Sequence, residues 1–180
     1  MANDLVLPIA QALLTCLCEQ VQLNPNPPQN CCLRLGTEVG HDADLFGDLC
    51  CEGLAYVRMN DLFPSTDNFP QEDVNRQAEE NCPIASWGVE LRAGIVRCVP
   101  VGGENGEMPT CTEWTAAAIQ DFYDAQTLRN TACCFIAAVR ANEALLGMSA
   151  IIGRITVSGP LGGCIERSIG FTVQIPNCDC

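Results

Sequence analysis

The spacing of hydrophobic positions changes several times along the chain, and each change marks an element. Leu5, Ile9, Leu13, Cys16 and Leu17 recur three and four residues apart, which predicts a helix over about 4–22 with one apolar face. Asn3 is placed to cap it, Asp4 suits the positive end of its dipole, and Pro8 lies early enough to bend or delay its start. The run Asn24-Pro25-Asn26-Pro27-Pro28 ends the helix, since consecutive prolines cannot continue it.

The period then shortens to two. Residues 31–39 alternate, with Leu33 and Leu35 on one side and Arg34 and Glu38 on the other. Residues 53–62 alternate again, with Ala55, Val57 and Met59 opposite Tyr56 and Arg58. Over 84–101 the shared face is Trp87, Val89, Leu91, Ala93 and Ile95, and Gly94 marks a bulge or bend. Residues 64–83 hold three prolines and no sustained period, with at most a short helical turn around Glu72 to Glu79. So long a loop in a compact domain is usually functional or mobile.

Helical spacing returns over 110–147. Thr110-Cys111-Thr112-Glu113 forms a capping box, and a break is expected near Arg129-Asn130 before Gly147 stops the segment. Residues 151–158 and 164–175 read as a hairpin around Gly159-Pro160-Leu161-Gly162-Gly163. The order predicts one α+β domain over 1–180, with a mainly antiparallel sheet and helices packed on one side.

Hydrophobic residues make up 48% and charged residues 17%, which describes a globular chain. No apolar run approaches the roughly 20 residues of a membrane-spanning helix, so no membrane partner is expected. The apolar stretch 5–18 has no basic residue before it, which reads as a helix of the mature protein and not as a signal peptide. The 22 acidic residues face nine basic ones, all Arg, for a net charge of −13. That balance argues against holding DNA phosphates, and suits non-adhesive passage of DNA if several copies line a channel.

Fourteen cysteines bring covalent cross-links into consideration. No C-x-x-C knuckle occurs and His41 is the only histidine, so a zinc site is not expected. Disulfides are the favoured reading, with Cys16, Cys18, Cys31, Cys32, Cys50, Cys51, Cys178 and Cys180 as candidates. Cys178 and Cys180 would pin the C-terminal tail to the first helix or first strand, and reduced, buried thiols are the competing reading. Catalysis finds no support: no phosphate-binding loop, G-x-S-x-G or H-E-x-x-H is present, and His41 lies in an Asp-rich turn. No enzyme activity and no cofactor are expected.

Three groups of residues resemble head-to-tail connector proteins of actinobacterial siphophages, in their order along most of the chain. They are Cys51-Glu52-Gly53-Leu54-Ala55-Tyr56-Val57-Arg58 with Leu62-Phe63-Pro64-Ser65 and Phe69-Pro70; Trp87-Gly88-Val89-Glu90-Leu91 with Gly94-Ile95-Val96-Arg97-Cys98-Val99-Pro100; and Gly159-Pro160, Gly162-Gly163-Cys164 and Phe171-Thr172-Val173. The order of elements is similar to tail terminators. The resemblance implies a virion subunit at the head–tail junction, assembled in the host cytoplasm. It would form a homo-oligomeric ring, a hexamer, that caps the tail tube protein and meets a stopper or adaptor, with DNA passing unbound. A stopper or adaptor is the alternative within that family, and a disulfide-rich binding module the alternative outside it. Asp67, Phe69, Glu72, Asp73, Glu79 and Glu80 are then the expected contacts to neighbouring subunits or the tube.

Overall fold

The computed structural model describes residues 5–36, 49–66, 68–72, 86–102, 107–141, 148–161 and 163–176, without the side chains of Leu49, Cys50 and Leu161. Helix α1 (Val6–Val21) leads into β1 (Asn30–Arg34), the single turn α2 (Leu49–Glu52), and β2 (Leu54–Ser65). Then come β3 (Ser86–Cys98), the long helix α3 (Cys111–Ala141), and the strands β4 (Ala150–Leu161) and β5 (Cys164–Pro176). The five strands form one sheet in the order β1-β2-β3-β5-β4. The class is α+β, with α1 and α3 on one face of a mixed sheet. The pairs β2–β3, β3–β5 and β4–β5 are antiparallel, and β1–β2 is parallel.

The period-two pattern fixes which side chains meet the helices. Ala55 and Val57 of β2, Val89, Leu91, Ala93 and Ile95 of β3, and Ile169, Phe171 and Val173 of β5 form one buried layer. Ile9, Leu13, Leu17 and Val21 of α1 pack on it, as do Leu128, Ala132, Phe135 and Val139 of α3. Phe135 and Phe171 meet edge to face with ring centroids 5.3 Å apart, the geometry that sets a positive ring edge against a negative ring face.

Several local expectations change. The described part of α1 starts at Val6 without a side-chain cap, and Asn3 and Asp4 lie outside the described residues. Gly94 is not a bulge. The register of β2 on β3 runs evenly past it and shifts instead between Met59 and Asp61. Gly94 is there for clearance: a Cβ would fall 2.6 Å from ring and hydroxyl atoms of Tyr56. Gly88 likewise lies beneath the Phe63 ring. No break occurs at Arg129-Asn130, because α3 is one helix of 31 residues; Arg129 is exposed and Asn130 accepts from Gln126 at i+4, so neither side chain competes with the helical backbone. The strand at 31–39 ends at Arg34, and Leu35 is fully exposed.

Candidate functional site

The polar residues that hold the helices to the sheet converge on Asp124. This aspartate lies at the middle of α3 and is 2% exposed. Its carboxylate accepts from Arg97 Nε at 2.9 Å and Nη2 at 3.0 Å, a forked ion pair. It also accepts from Asn24 Nδ2 at 2.9 Å and Gln120 Nε2 at 3.0 Å. Asn24 comes from the turn that ends α1, where its Oδ1 accepts from the Asn26 backbone N–H. Arg97 in turn donates to the Asn26 carbonyl at 2.7 Å. The proline-rich turn, the end of β3 and the centre of α3 are thus tied at one point, with every charge matched.

Beside this knot lies a cavity of about 390 Å³ between the end of the sheet and the N-terminal half of α3. Trp114, Ala117 and Ala118 give it an apolar wall, Ile165 lies opposite, and the Cys51–Cys98 bridge closes one end. Arg167 of β5 makes a forked ion pair to Asp121 at its rim. The charged groups here are engaged with each other, so the chemistry on offer is reception of an apolar side chain inside a polar rim. Outside the cavity the same half-helix stays bare. Ile119, Phe122 and Tyr123 are all exposed, Phe122 to 72%, and Trp114 on the cavity wall is also partly open to solvent. The first thirteen residues of α3 overhang the core, whereas those from Asp124 onward pack against it.

On the opposite face of the sheet Tyr56 is fully buried and donates its hydroxyl to Glu166. Burial, reinforced by the Glu166 carboxylate, holds this hydroxyl protonated far above the usual tyrosine range.

Of the candidate cysteines, Cys16 is bonded to Cys134, Cys18 to Cys31, and Cys51 to Cys98, with Cα–Cα distances of 5.7, 5.8 and 4.6 Å. The bonded state of these pairs replaces the reduced alternative. Because Cys16, Cys18 and Cys31 are already paired among themselves and with Cys134, they are not partners for the C-terminal tail. Cys32 is a half-buried free thiol. The side chain of Cys50, and Cys178 and Cys180, lie outside the described residues. Cys164 is also disulfide-bonded, and Cys111 and Cys133 are free and exposed. Partners such as Cys98 and Cys134 carried no signal in sequence, since a bridge leaves no local pattern.

Of the expected contact loop, Asp67, Asp73, Glu79 and Glu80 lie outside the described residues, as does most of the helical turn considered there. Phe69 is half-buried, and Glu72 is exposed and bridges back to Ser65. The network of Asn24, Arg97, Asp121, Asp124 and Arg167 was not singled out from sequence, because its members stand up to 100 positions from their partners. Among the described residues no cluster of three His, Cys, Asp or Glu side chains could hold a metal ion, and no helix is long and apolar enough to cross a membrane. No protein-family model matches the chain, and no curated protein matches it in sequence.

Proposed function

We propose that this chain is a structural subunit of the phage head-to-tail interface, a tail terminator that assembles as a ring on the tail tube. The observation that carries the assembly reading is the bare half of α3. Ile119, Phe122 and Tyr123 are exposed within one helical turn of each other, and Trp114 is exposed on the wall of the adjoining cavity. Large contiguous apolar surfaces on soluble proteins mark interfaces. The sheet adds to this, because β4 is an outermost strand of twelve residues with Ile151 and Val157 exposed, and an open edge is a template for a neighbour. The ordered resemblance to connector proteins supplies the place of assembly. A net charge of −13 suits a subunit that lets DNA pass without holding it. A stopper or adaptor of the same connector fits the same surfaces. The three described bridges favour a second reading, a disulfide-rich binding module that works as a monomer.

The test is native mass spectrometry with negative-stain imaging of the wild type and of W114S/F122S. Both substitutions lie on exposed positions, so the variant keeps its circular dichroism spectrum. Discrete rings from the wild type, lost in the variant, are the expected result. A wild type that stays monomeric with tail tube protein present, and is missing from the junction in intact particles, would overturn the assignment in favour of the binding module.

A further inference from the structure

Three of the nine arginines stand in a row. Arg34, Arg58 and Arg92 hold successive register positions on β1, β2 and β3, on the sheet face turned away from α1 and α3. Adjacent strands lie about 4.8 Å apart, and like charges set directly opposite each other oppose pairing. Nothing in the composition forces this arrangement, since acidic residues outnumber arginines 22 to 9. Elsewhere the fold does give arginine a carboxylate: Arg97 has Asp124 and Arg167 has Asp121.

Arg58 and Arg92 are treated differently. Arg58 is 4% exposed, yet its Nε and Nη1 meet no hydrogen-bond partner. The buried Nε of Arg92 has none either. Among the described residues, the acidic side chains on the same face are otherwise engaged. Glu166 accepts from Tyr56, Glu90 from Asn60 Nδ2 at 3.2 Å, and Asp61 from the Leu62 backbone N–H at 2.8 Å. The Arg58 guanidinium lies 5.7 Å from the centroid of the Tyr56 ring, which steadies a cation without offering it an acceptor. Next to Arg92 in the register stands Gly170 of β5, where an added Cβ would meet nothing within 4 Å. The row therefore opens onto free space on its β5 side. Arg34 makes contacts of its own, which leaves Arg58 and Arg92 as the pair with unused donors.

We propose that Arg58 and Arg92 form a binding site for a single oxyanion group, received by the two guanidinium forks over Gly170. A buried guanidinium with unused N–H groups is costly unless an acceptor completes it, and paired planar forks match the oxygens of phosphate or carboxylate. That chemistry is shared by free inorganic phosphate and by a carboxylate side chain of a second copy. The proposal does not depend on where the protein works.

The experiment is calorimetric titration of the full chain with inorganic phosphate at low ionic strength, set against chloride at matched ionic strength and pH. Native mass is recorded at each point. The variants are R92Q, R92K as the charge-retaining form, and R140Q as a control on the exposed end of α3. If the site serves a free anion, phosphate binds the wild type and R140Q, and at least about tenfold more weakly R92Q. R92K falls between, because it keeps the charge and loses the fork. If the site serves a carboxylate of a second copy, phosphate lowers the oligomeric mass of the wild type, and R92Q is already dissociated at that concentration. Equal phosphate binding and equal mass in the wild type and R92Q would overturn the proposal. Should R92Q fail to fold, the R92K comparison decides on the same criteria.

Discussion

At the scale of single residues, Asp124 is the most consequential side chain described. Four hydrogen bonds end on its carboxylate, two from Arg97 and one each from Asn24 and Gln120. Replacing it by Ala would leave the Arg97 guanidinium buried without its carboxylate, and removing one member of a buried pair costs about 3–5 kcal/mol. D124A is therefore expected to lower the urea midpoint by that equivalent under oxidising conditions, and D124N by less, because an amide keeps one acceptor. A loss below about 1 kcal/mol would show that water already shares the site. None of this was legible in the sequence. Asp124 reads there as one more acidic position on an amphipathic helix, and Asn24 as helix-stop chemistry. Contacts between residues as far apart as Asn24 and Asp124, a hundred positions, leave no periodic trace, unlike the alternation of Val89, Leu91 and Ala93, which did place the core face of β3.

At the scale of elements, α3 divides into a packed half and an overhanging half, and the overhang depends on its own cap. Thr110 Oγ1 accepts from the Glu113 N–H at 3.3 Å, while the Glu113 carboxylate accepts from the Thr110 N–H at 2.7 Å and from its hydroxyl at 2.8 Å. T110A is expected to cost about 1 kcal/mol of local helix stability, read by faster amide exchange in the first two turns. The Thr110 backbone N–H holds the Glu113 carboxyl below its ordinary value of 4.5. A carboxyl whose pKa is depressed on folding contributes stability above its unfolded value, and that contribution fades as pH falls through the folded one. The stability difference between the wild type and E113Q should thus be present at pH 7 and vanish as pH drops below 4.5. This cap was legible because its spacing is local. The parallel pairing of β1 with β2 was not. A five-residue strand carries too little alternation to declare its direction, and the β1–β2 connection passes through residues outside those described. Cysteine candidates on α1 and α2 were visible, whereas their partners Cys134 and Cys98 required the long helix and the strand to be placed first.

At the scale of the whole molecule, the described bridges are nested. Cys16–Cys134 spans 118 positions, and both Cys18–Cys31 and Cys51–Cys98 close inside it. By loop length alone they restrict the unfolded chain by about 5, 3 and 4 kcal/mol respectively, so α1 is joined covalently to both of its neighbours. The nesting has a mechanical meaning. A load applied between the chain ends runs from α1 straight across the outer bridge into α3, bypassing the 117 residues between the two cysteines. Pulled in a single-molecule experiment, the oxidised chain should therefore fall short of the reduced chain's final length by at least about 400 Å, at roughly 3.4 Å per hidden residue. Equal contour lengths would mean that the outer bridge is not formed. With the bridge in place, β1, β2 and β3 sit inside a covalent bypass, and a protein drawn taut from its ends gives up its flanks while the centre of its sheet stays unloaded.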